Sequence, residues 1–412
     1  MLTVSRIREA DEVLRELLAG AAGRSDPYPL YHRLRGLAPV YRSDLDGVWY
    51  VSDYASGREV LLDRRAGKTE RGRAVRFGVN EELLRRTRKR QRPSMITANP
   101  PDHTRLRRAA RGPFLPGRME ARLQSRIAEI VEERLDVVAG KGEADMMADV
   151  AFKLPVTVIG ELVGVPPEDR DEFPPLVDEF FAAGQLGATP DQMDRADRAA
   201  ERFRAYFADL IEAQRIGDRP NQDLVGSLVA AGNLDDDELS GTITLIFVAG
   251  FITTANLIGN GLLALLRNPG EMARLWADGA LVPAAVEEML RFDSPVQLVE
   301  RTALEDFEVD GHLVPAGDTI VPLLGAANRD PGQFPEPDRF LITRPNAPAH
   351  ISFAWGIHHC LGAPLARLEG QLVFSRLRER FARLELLDDD LAHRPSFGIR
   401  SLASLPIRFV AA

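Results

Sequence analysis

The sequence predicts a mainly α-helical protein with a minor β portion, built as one large domain over residues 1–412. Three observations predict this fold class. Helical periodicity runs through most of the chain, strand-like alternation clusters near both ends, and no Pro/Gly/Ser-rich linker or internal repeat divides the sequence. The composition, 45% hydrophobic and 27% charged, is ordinary for a soluble globular enzyme and excludes disordered, collagen-like and coiled-coil classes.

The individual elements follow from local patterns in chain order. Residues 36–62 predict a short hairpin that turns near Asp46-Gly47, followed by a helix. The spacing of apolar residues predicts helical stretches at 102–138, 150–163, 191–216, 236–267, 281–292 and 363–383. Alternation over 296–324 predicts strands around the turn Asp310-Gly311, and residues 396–410 predict another hairpin.

Charge and cysteine content narrow the function class and the compartment. The chain carries 52 basic and 61 acidic side chains, a net charge of −9, which disfavours nucleic-acid binding as its main activity. Its single cysteine, Cys360, cannot form an intramolecular disulfide and fits a reducing compartment. The first residues contain no apolar signal-peptide core, so we expect a cytoplasmic protein.

One stretch is apolar enough to raise the question of a membrane span. The 28 residues 239–266 carry no charge and are long enough to cross a bilayer. However, Ser, Thr and Asn residues and four glycines are scattered around the whole circumference of the predicted helix. We therefore expect a buried central helix and no membrane contact.

The segment around Cys360 carries the strongest chemical signal, and it reads Phe353-Ala-Trp-Gly-Ile-His-His-Cys360-Leu-Gly-Ala-Pro. Gly356 and Gly362 flank the cysteine and allow positive φ angles and the close approach of a flat ligand. Pro364 then opens a helix, whose dipole and free amides favour a thiolate just before it. This pattern indicates a metal ligand or a nucleophile rather than a buried structural cysteine.

The same segment resembles the haem-ligand loop of the cytochromes P450, Phe-Gly-x-Gly-x-His-x-Cys-x-Gly. The positions that match are Phe353, Gly356, His358, Cys360 and Gly362. Ala354 stands where the family usually has glycine, and we expect only a slight adjustment of the loop. The resemblance implies the family's α-helical prism fold, haem b as the cofactor and Cys360 as the ligand of its iron. A zinc site at 358–360 is an alternative, although adjacent residues rarely converge on one metal.

Further motifs of this family lie along the chain. Glu288 and Arg291 fit its Glu-x-x-Arg helix, and their i, i+3 spacing puts both side chains on one face. Arg339, in Phe334-Pro-Glu-Pro-Asp-Arg339, resembles the third member of that buried ion network. A solvated surface pair is the ordinary alternative for an isolated Glu-x-x-Arg. The resemblance therefore implies that these three residues maintain the fold and retain haem.

The resemblance also implies which residues contact the haem. The residues that match the family's propionate donors are His103, Arg107, Arg301, His350 and His358. Arginine suits this task because its fork grips a carboxylate with two hydrogen bonds. The loop residues Phe353, Gly356 and Gly362 are expected to contact the cofactor as well.

The uncharged helix contains a motif for oxygen activation. Ala249-Gly250-Phe-Ile-Thr253 resembles the family's Ala-Gly-x-(Asp or Glu)-Thr. Ala249 and Gly250 would open the helix to leave a groove for dioxygen, and Thr253 would supply the hydroxyl. The acid is replaced by Ile252, which cannot carry a proton. Either water relays protons past Ile252, or proton delivery is reassigned to a substrate group, or peroxide serves as the oxidant.

The resemblance implies a monooxygenase that hydroxylates or epoxidises its substrate with O2. Because no flavin- or nicotinamide-binding domain is evident, electrons would come from ferredoxin and ferredoxin reductase, with docking expected near Arg108, Arg111 and His359. Two further readings stay open: a haem-thiolate enzyme with another outcome, such as a peroxide shunt, coupling or rearrangement, and a non-catalytic haem sensor.

The substrate is expected to be a sizeable apolar molecule, with a polyketide or macrolide as the specific hypothesis. By family position, the residues expected to line its pocket are Leu245, Val248, Ala249, Ile252, Val296, Leu298 and Leu402. Residues 64–92 carry 12 Lys/Arg against 3 Asp/Glu. This basic segment is either a solvated loop or a contact for an anionic substrate, an acyl carrier protein or the redox partner.

Overall fold

The computed structural model describes residues 3–20, 23, 25–69, 86, 92–182, 188–217, 223–394, 396 and 398–411. The chain divides into two compact units. Unit 1 contains Met1–Val79, Asn256–Cys360 and Leu377–Ala412, and unit 2 contains Asn80–Ala255 and Leu361–Arg376. Neither unit is a continuous segment, because the chain passes repeatedly from one to the other. The single-domain organisation stays a prediction.

Helices form most of the described chain, as the periodicity predicts. The α-helices are Val4–Ala19, Tyr28–Leu37, Tyr54–Leu62, Asp102–Ala110, Pro116–Lys141, Lys153–Val163, Phe173–Ala182, Pro190–Ile216, Leu224–Ala231, Asp236–Arg267, Pro269–Ala277, Val282–Phe292, Leu324–Ala327 and Ala363–Arg380. The predicted stretch 102–138 is two helices rather than one. The break falls where Pro113 and Pro116 cannot donate the backbone hydrogen bonds of a continuous helix.

The strands are short. They are β1 (Val40–Arg42), β2 (Trp49–Val51), β3 (Ala66–Gly67), β4 (Glu143–Asp145), β5 (Arg301–Ala303), β6 (Phe307–Val309), β7 (His312–Val314), β8 (Thr319–Pro322), β9 (Phe381–Leu386) and β10 (Pro406–Ala411). In unit 1, five of them form a sheet in the order β1-β2-β8-β5-β3, in which β2 and β8 are parallel and the other neighbours antiparallel.

Two of the three predicted hairpins are confirmed. β1 and β2 pair around a turn in which Gly47 has a φ of 72°, and β6 and β7 pair around Asp310 and Gly311, with φ angles of 47° and 72°. The hairpin predicted at 396–410 is wrong. β10 pairs with β9, which follows the helix Ala363–Arg380, and Ile399 and Leu402 form isolated bridges with Val296 and His393.

The long uncharged helix is Asp236–Arg267, as predicted. By length and hydropathy it is the one described helix that could cross a membrane, but 72% of its most apolar window is buried inside the protein. Three acidic residues fill its first turn and Arg267 its last, which suits the helix dipole. The helix is therefore a core helix of the fold.

Each unit has its own apolar core. In unit 1, a cluster that includes Leu14, Tyr31 and Val321 joins the N-terminal helices to the sheet. A smaller cluster of Leu61, Leu324, Ala327, Ile351 and Ala354 lies under the segment that leads to the cysteine. In unit 2, aromatic rings from the helices Phe173–Ala182, Pro190–Ile216 and Asp236–Arg267 pack together. These rings are Phe173, Phe180, Phe203, Tyr206, Phe207, Phe247 and Phe251.

Candidate active site

The segment that carries the cysteine is an exposed loop tied back on itself. The backbone N–H of Cys360 donates to the carbonyl of Phe353 over 2.9 Å, and His359 N–H donates to Gly356 O over 3.1 Å. The Cys360 residue itself is exposed. The Phe353 ring lies between two imidazoles, with its centroid 5.7 Å from that of His350 and 6.3 Å from that of His359. These two hydrogen bonds define the backbone path of the loop that carries the thiol.

Two residues of this loop have left-handed backbone conformations. Gly356 has a φ of 72°, and a Cβ at this position would lie 2.4 Å from the carbonyl oxygen of Leu61, so glycine is required there. Ala354 has a φ of 54° although it is not glycine. The alanine thus adopts the left-handed conformation that glycine would adopt. Its methyl group is buried in the apolar cluster around Leu61, and this is the form that the predicted adjustment of the loop takes.

A buried ion network fixes the chain path that leads to the cysteine loop. Arg291 donates to both carboxylate oxygens of Glu288 over 2.7 and 2.8 Å, and neither side chain is exposed. The third member is Arg344, whose Nε donates to Glu288 Oε1 over 3.2 Å.

The prediction that Arg339 is the third member is therefore wrong. The side chain of Arg339 is exposed and pairs with Glu336, while its backbone carbonyl accepts hydrogen bonds from Arg291 and Arg344. The Pro-rich turn at 334–339 wraps around the network, so Arg339 contributes its main chain and points its side chain outward.

Arg301, on β5, is a buried cation without an anionic partner. Its Nη1 donates to the backbone carbonyl of Glu300 over 2.9 Å, and it forms no ion pair with any residue that the structure describes. Burial lowers the pKa of Arg301 to about 10. Because an unpaired buried charge is costly, this guanidinium indicates a site for an anion such as a haem propionate.

His350 is buried in unit 1. Its Nδ1 accepts a hydrogen bond from the backbone N–H of Ser352 over 3.1 Å, and its Nε2 lies 3.3 Å from Oε2 of Glu287. Both ring nitrogens thus face protein groups in unit 1. His358 lies half-buried on the loop itself, and the propionate contacts of His350 and His358 stay predictions.

In unit 2, the predicted donors lie on one helix. His103 and Arg107 occupy positions i and i+4 of the helix Asp102–Ala110, with His103 buried and Arg107 half-buried. Arg105, on the same helix, binds the carboxylate of Glu238 with both terminal nitrogens. This pair ties the helix to the first turn of Asp236–Arg267. Gly362 lies in this unit, and a Cβ there would meet no protein atom within 4 Å.

The oxygen-activation motif lies on an unbroken helix. The Thr253 hydroxyl donates to the carbonyl of Ala249 over 2.9 Å, and Thr254 donates to that of Gly250 over 3.2 Å. A Cβ on Gly250 would lie 2.7 Å from the side chain of Ile159. The predicted opening of the helix at Ala249-Gly250 is therefore not observed, and Gly250 serves the close packing of the two helices.

The predicted pocket residues divide into accessible and inaccessible side chains. On the long helix, Ala249 is exposed, Leu245 and Thr253 are half-buried, and Val248 and Ile252 are buried. In unit 1, Val296 is half-buried. Leu298 packs into the N-terminal core and Leu402 has no accessible surface, and their place in the pocket stays a prediction.

Val299 is the accessible residue that the sequence analysis missed. Both Val296 and Val299 pack on the cluster around Leu61 while remaining partly accessible. Leu298 was expected in the pocket by family position, and it lies before the regular strand, which begins only at Arg301. No sequence signal distinguishes Val299 from its neighbours.

Comparison with known proteins identifies the family of this chain. A family model described as Cytochrome P450 matches residues 187–397. Cytochrome P450 monooxygenase PikC of Streptomyces venezuelae is 39% identical over 406 residues, which are 95% of this chain and 93% of that protein. The chain belongs to the cytochrome P450 family. It is therefore a haem-dependent monooxygenase of the soluble bacterial type that the motifs indicated, with the predicted fold class.

Two further cytochromes P450 bear on substrate and partner. Polyketide biosynthesis cytochrome P450 PksS of Bacillus subtilis is 36% identical over 401 residues, 93% of this chain and 95% of that protein. The crystal structure of P450BioI in complex with an acyl carrier protein ligated to hexadec-9Z-enoic acid superimposes with a TM-score of 0.86 at 34% identity. That match covers 94% of this chain and 100% of the P450BioI chain.

The donor set of this cytochrome P450 fits haem. An exposed cysteine on a loop with two left-handed residues, and a buried arginine that pairs with no carboxylate among the described residues, suit a thiolate-ligated, dianionic porphyrin. Within the described ranges, no group of three His, Cys, Asp or Glu side chains could hold a metal ion by itself. The zinc alternative at 358–360 therefore has no support.

Proposed function

We propose that this cytochrome P450 hydroxylates or epoxidises a polyketide- or macrolide-type natural product, with O2 as co-substrate and electrons from ferredoxin and ferredoxin reductase. The similarity to PksS is the observation that supports a polyketide-type substrate. In unit 2, the half-buried apolar side chain of Leu245 suits an apolar substrate, because it would lose water contact when the substrate binds. In unit 1, the half-buried side chains of Val296 and Val299 suit an apolar substrate for the same reason.

The residues of the chain take distinct parts in this reaction. Haem held through the thiolate of Cys360 would supply the activation of dioxygen and the transfer of one oxygen atom to the substrate. Thr253 donates its hydroxyl proton to Ala249 O, so the hydroxyl oxygen can accept a further hydrogen bond and position a water or a protonated group. In unit 1, Arg301 would bind a propionate through its fork. In unit 2, His103 and Arg107, on one face of their helix, would supply propionate donors of their own.

The electron donor is proposed to be an acidic ferredoxin that contacts Arg108 and Arg111. Both residues are exposed near the end of the helix Asp102–Ala110. Neutralising both arginines should slow reduction at low salt and have less effect at high salt, because screening removes long-range attraction. Stopped-flow reduction at two ionic strengths tests this, and a salt-independent rate would contradict it.

An acyl carrier protein is the alternative acidic partner. P450BioI was crystallised with such a protein. The basic segment 64–92 is the candidate contact, and most of it lies outside the described residues. The chain is further proposed to act as a single cytoplasmic domain. Its net charge of −9 disfavours a nucleic-acid partner. Its most apolar described helix is largely buried, which disfavours a membrane partner.

A spin-state titration of the ferric protein tests the substrate class. Polyketide-like acids, their methyl esters and neutral macrolactones would be compared, and we expect a shift from low to high spin with at least one of them. A shift with the acids alone would make the basic segment a recognition element. A shift with neutral macrolactones alone would mean that the basic segment is a solvated loop that does not recognise the substrate. No shift with any of these compounds would contradict the proposed substrate class.

A second candidate function, peroxide-driven or substrate-assisted oxidation, is favoured by Ile252. Its buried hydrocarbon side chain occupies the position where the family carries an acid. The variant Ile252→Glu would place a carboxyl in a buried setting, which favours its protonated form at neutral pH. If the missing acid limits proton delivery, product per reduced nicotinamide rises in this variant.

Ile252→Gln is the matched control. Its amide is as large as the carboxyl group of Ile252→Glu, but it does not act as an acid. Equal coupling in both variants and the parent would show that the acid is not limiting. Turnover of the parent with hydrogen peroxide alone would then identify the oxidant.

A further inference from the structure

A small polar cavity in unit 1 has no part in the oxidation proposed above. We call it the His393 cavity. Its empty volume is about 260 Å³, counted out to its open mouth. The described residues that line it include Tyr31, Gln297, His393, Arg394, Arg400 and Ser401. Pockets for drug-sized molecules usually exceed about 300 Å³, so this cavity suits a smaller molecule or an ion.

Three segments of unit 1 wall the cavity. Tyr31 lies on the helix Tyr28–Leu37, and its hydroxyl donates to Oε1 of Gln297 over 3.0 Å. In the third segment the chain folds back on itself. The backbone N–H of Arg394 donates to the carbonyl of Ser401 over 2.8 Å, and His393 forms a β-bridge with Leu402. These contacts make the cavity a built feature of the fold.

The imidazole of His393 is the polar group that the cavity leaves without a partner. Both of its ring nitrogens are shielded from solvent, and neither has a hydrogen-bond partner among the described residues. A neutral imidazole offers one donor and one acceptor, and an imidazolium offers two donors. Because buried polar atoms are nearly always hydrogen-bonded, the cavity indicates a ligand for this ring, either water or a larger group.

The charges around His393 favour an anion over water. Burial lowers the pKa of His393 to about 4, the positive charges of Arg400 and Arg267 lower it further, and Asp293 opposes them only in part. Asp293 pairs with Arg400 over 2.6 Å. Arg394 also lines the cavity, and none of the described lining residues is acidic. The potential at the imidazole is therefore positive, which attracts a negative ligand.

We propose that the His393 cavity binds a small oxyanion, a carboxylate or a phosphate, together with a proton on His393. The anion accepts a hydrogen bond from the imidazolium and offsets its repulsion by the arginines. The proton comes from the solvent. This site is independent of the proposed oxidation and of the haem pocket.

The proposal fixes how binding depends on pH. Without the anion, His393 is neutral near pH 7, so binding takes up one proton. The affinity for the anion should therefore fall as the pH rises, by about tenfold per pH unit between the pKa of the free site and that of the occupied site. Conversely, the bound anion should raise the pKa of His393.

The test follows His393 in the holoenzyme by NMR. The ferrous carbon monoxide form is used because it is diamagnetic, with histidine labelled with ¹⁵N, and His393→Gln assigns the signal. Sodium acetate, inorganic phosphate and sodium chloride are compared at equal ionic strength, since added salt alone screens the arginines. We expect acetate or phosphate to raise the pKa of His393 by about one pH unit or more above its value in chloride.

A second readout needs no variant. Relative to chloride, acetate should raise the Tm of the parent holoenzyme more at pH 5.5 than at pH 8, because a ligand stabilises the folded state according to its affinity. A response to acetate alone would identify a carboxylate site, and a response to phosphate alone a phosphate site.

Arg394→Gln should reduce the response of His393 to the anion. Arg64→Gln is the matched control, because Arg64 is an exposed arginine of unit 1 that does not line the cavity, and it should leave the response unchanged. Equal responses in these two variants would overturn the proposal. So would a pKa of His393 that is the same in acetate, phosphate and chloride, because the cavity would then hold only water.

Discussion

Arg344 and Glu288 form a buried ion pair, with 3.2 Å between Nε and Oε1 and almost no exposure of either side chain. The same carboxylate accepts two hydrogen bonds from Arg291 and one from the backbone N–H of Leu341. Arg344 also donates to the backbone carbonyls of Pro335, Glu336 and Arg339. The pair therefore fixes the chain path that leads to the cysteine loop.

Arg344→Ala should lower the free energy of unfolding by roughly 3–5 kcal/mol, because it leaves part of a buried carboxylate unpaired. Arg339→Ala is the matched control, and it should change stability by less than about 0.5 kcal/mol, since its ion pair is exposed. Urea unfolding of both holoproteins checks this. Equal losses in the two variants would contradict the assignment of Arg344.

The contrast between Arg339 and Arg344 shows which features of this protein can be predicted from its sequence. The helix Asp236–Arg267 was predictable because an uncharged run with acidic residues before it specifies both the helix and its ends. Cys360 was predictable because its glycines and proline are local. The choice between Arg339 and Arg344 depends on how a Pro-rich turn folds around Glu288, some fifty residues away in sequence. Likewise, the pairing of β10 with β9 and the exposure of Val299 depend on long-range contacts that local periodicity does not encode.

Gly356→Ala should disrupt the ligand loop. The new Cβ would lie 2.4 Å from the Leu61 carbonyl, and the φ of 72° is unfavourable for alanine. We expect a loss of at least about 2 kcal/mol in stability and a weaker thiolate-type band in the carbon monoxide difference spectrum. Gly362→Ala meets no protein atom, so it should fold as the parent does. A loss of haem from Gly362→Ala without unfolding would then report direct contact with the cofactor, whereas normal stability of Gly356→Ala would refute the steric argument.

Arg301 should control haem retention through its charge. Arg301→Met removes the buried cation, and transfer of haem from the holoprotein to apomyoglobin should become about tenfold faster, since a charged hydrogen bond of roughly 1.5–3 kcal/mol is lost. Arg301→Lys keeps the charge but not the fork, so an intermediate rate is expected. A rate in Arg301→Met equal to that of the parent would mean that this guanidinium does not bind a propionate.

The buried carboxyl group of Glu369 should make the stability of the protein depend on pH. This side chain is fully buried on the helix Ala363–Arg380, its Oε2 has no hydrogen-bond partner in the described structure, and burial raises its pKa well above the usual range. The folded protein therefore keeps a proton that the unfolded chain releases above about pH 4.3. The unfolded state binds fewer protons over this interval, so the Glu369 contribution to stability falls as the pH rises toward the folded-state pKa.

Glu369→Gln removes this dependence because the amide has the same shape and does not titrate. The difference in Tm between Glu369→Gln and the parent should therefore shift in favour of the variant from pH 5 to pH 8, as measured by calorimetry of the holoproteins. Arg376, two turns later on the same helix, pairs with Glu132 over 3.0 Å, which shows that this face packs against the helix Pro116–Lys141. A difference in Tm that is constant across this pH range would mean that Glu369 is ionised in the folded protein and that positively charged groups near it compensate its burial.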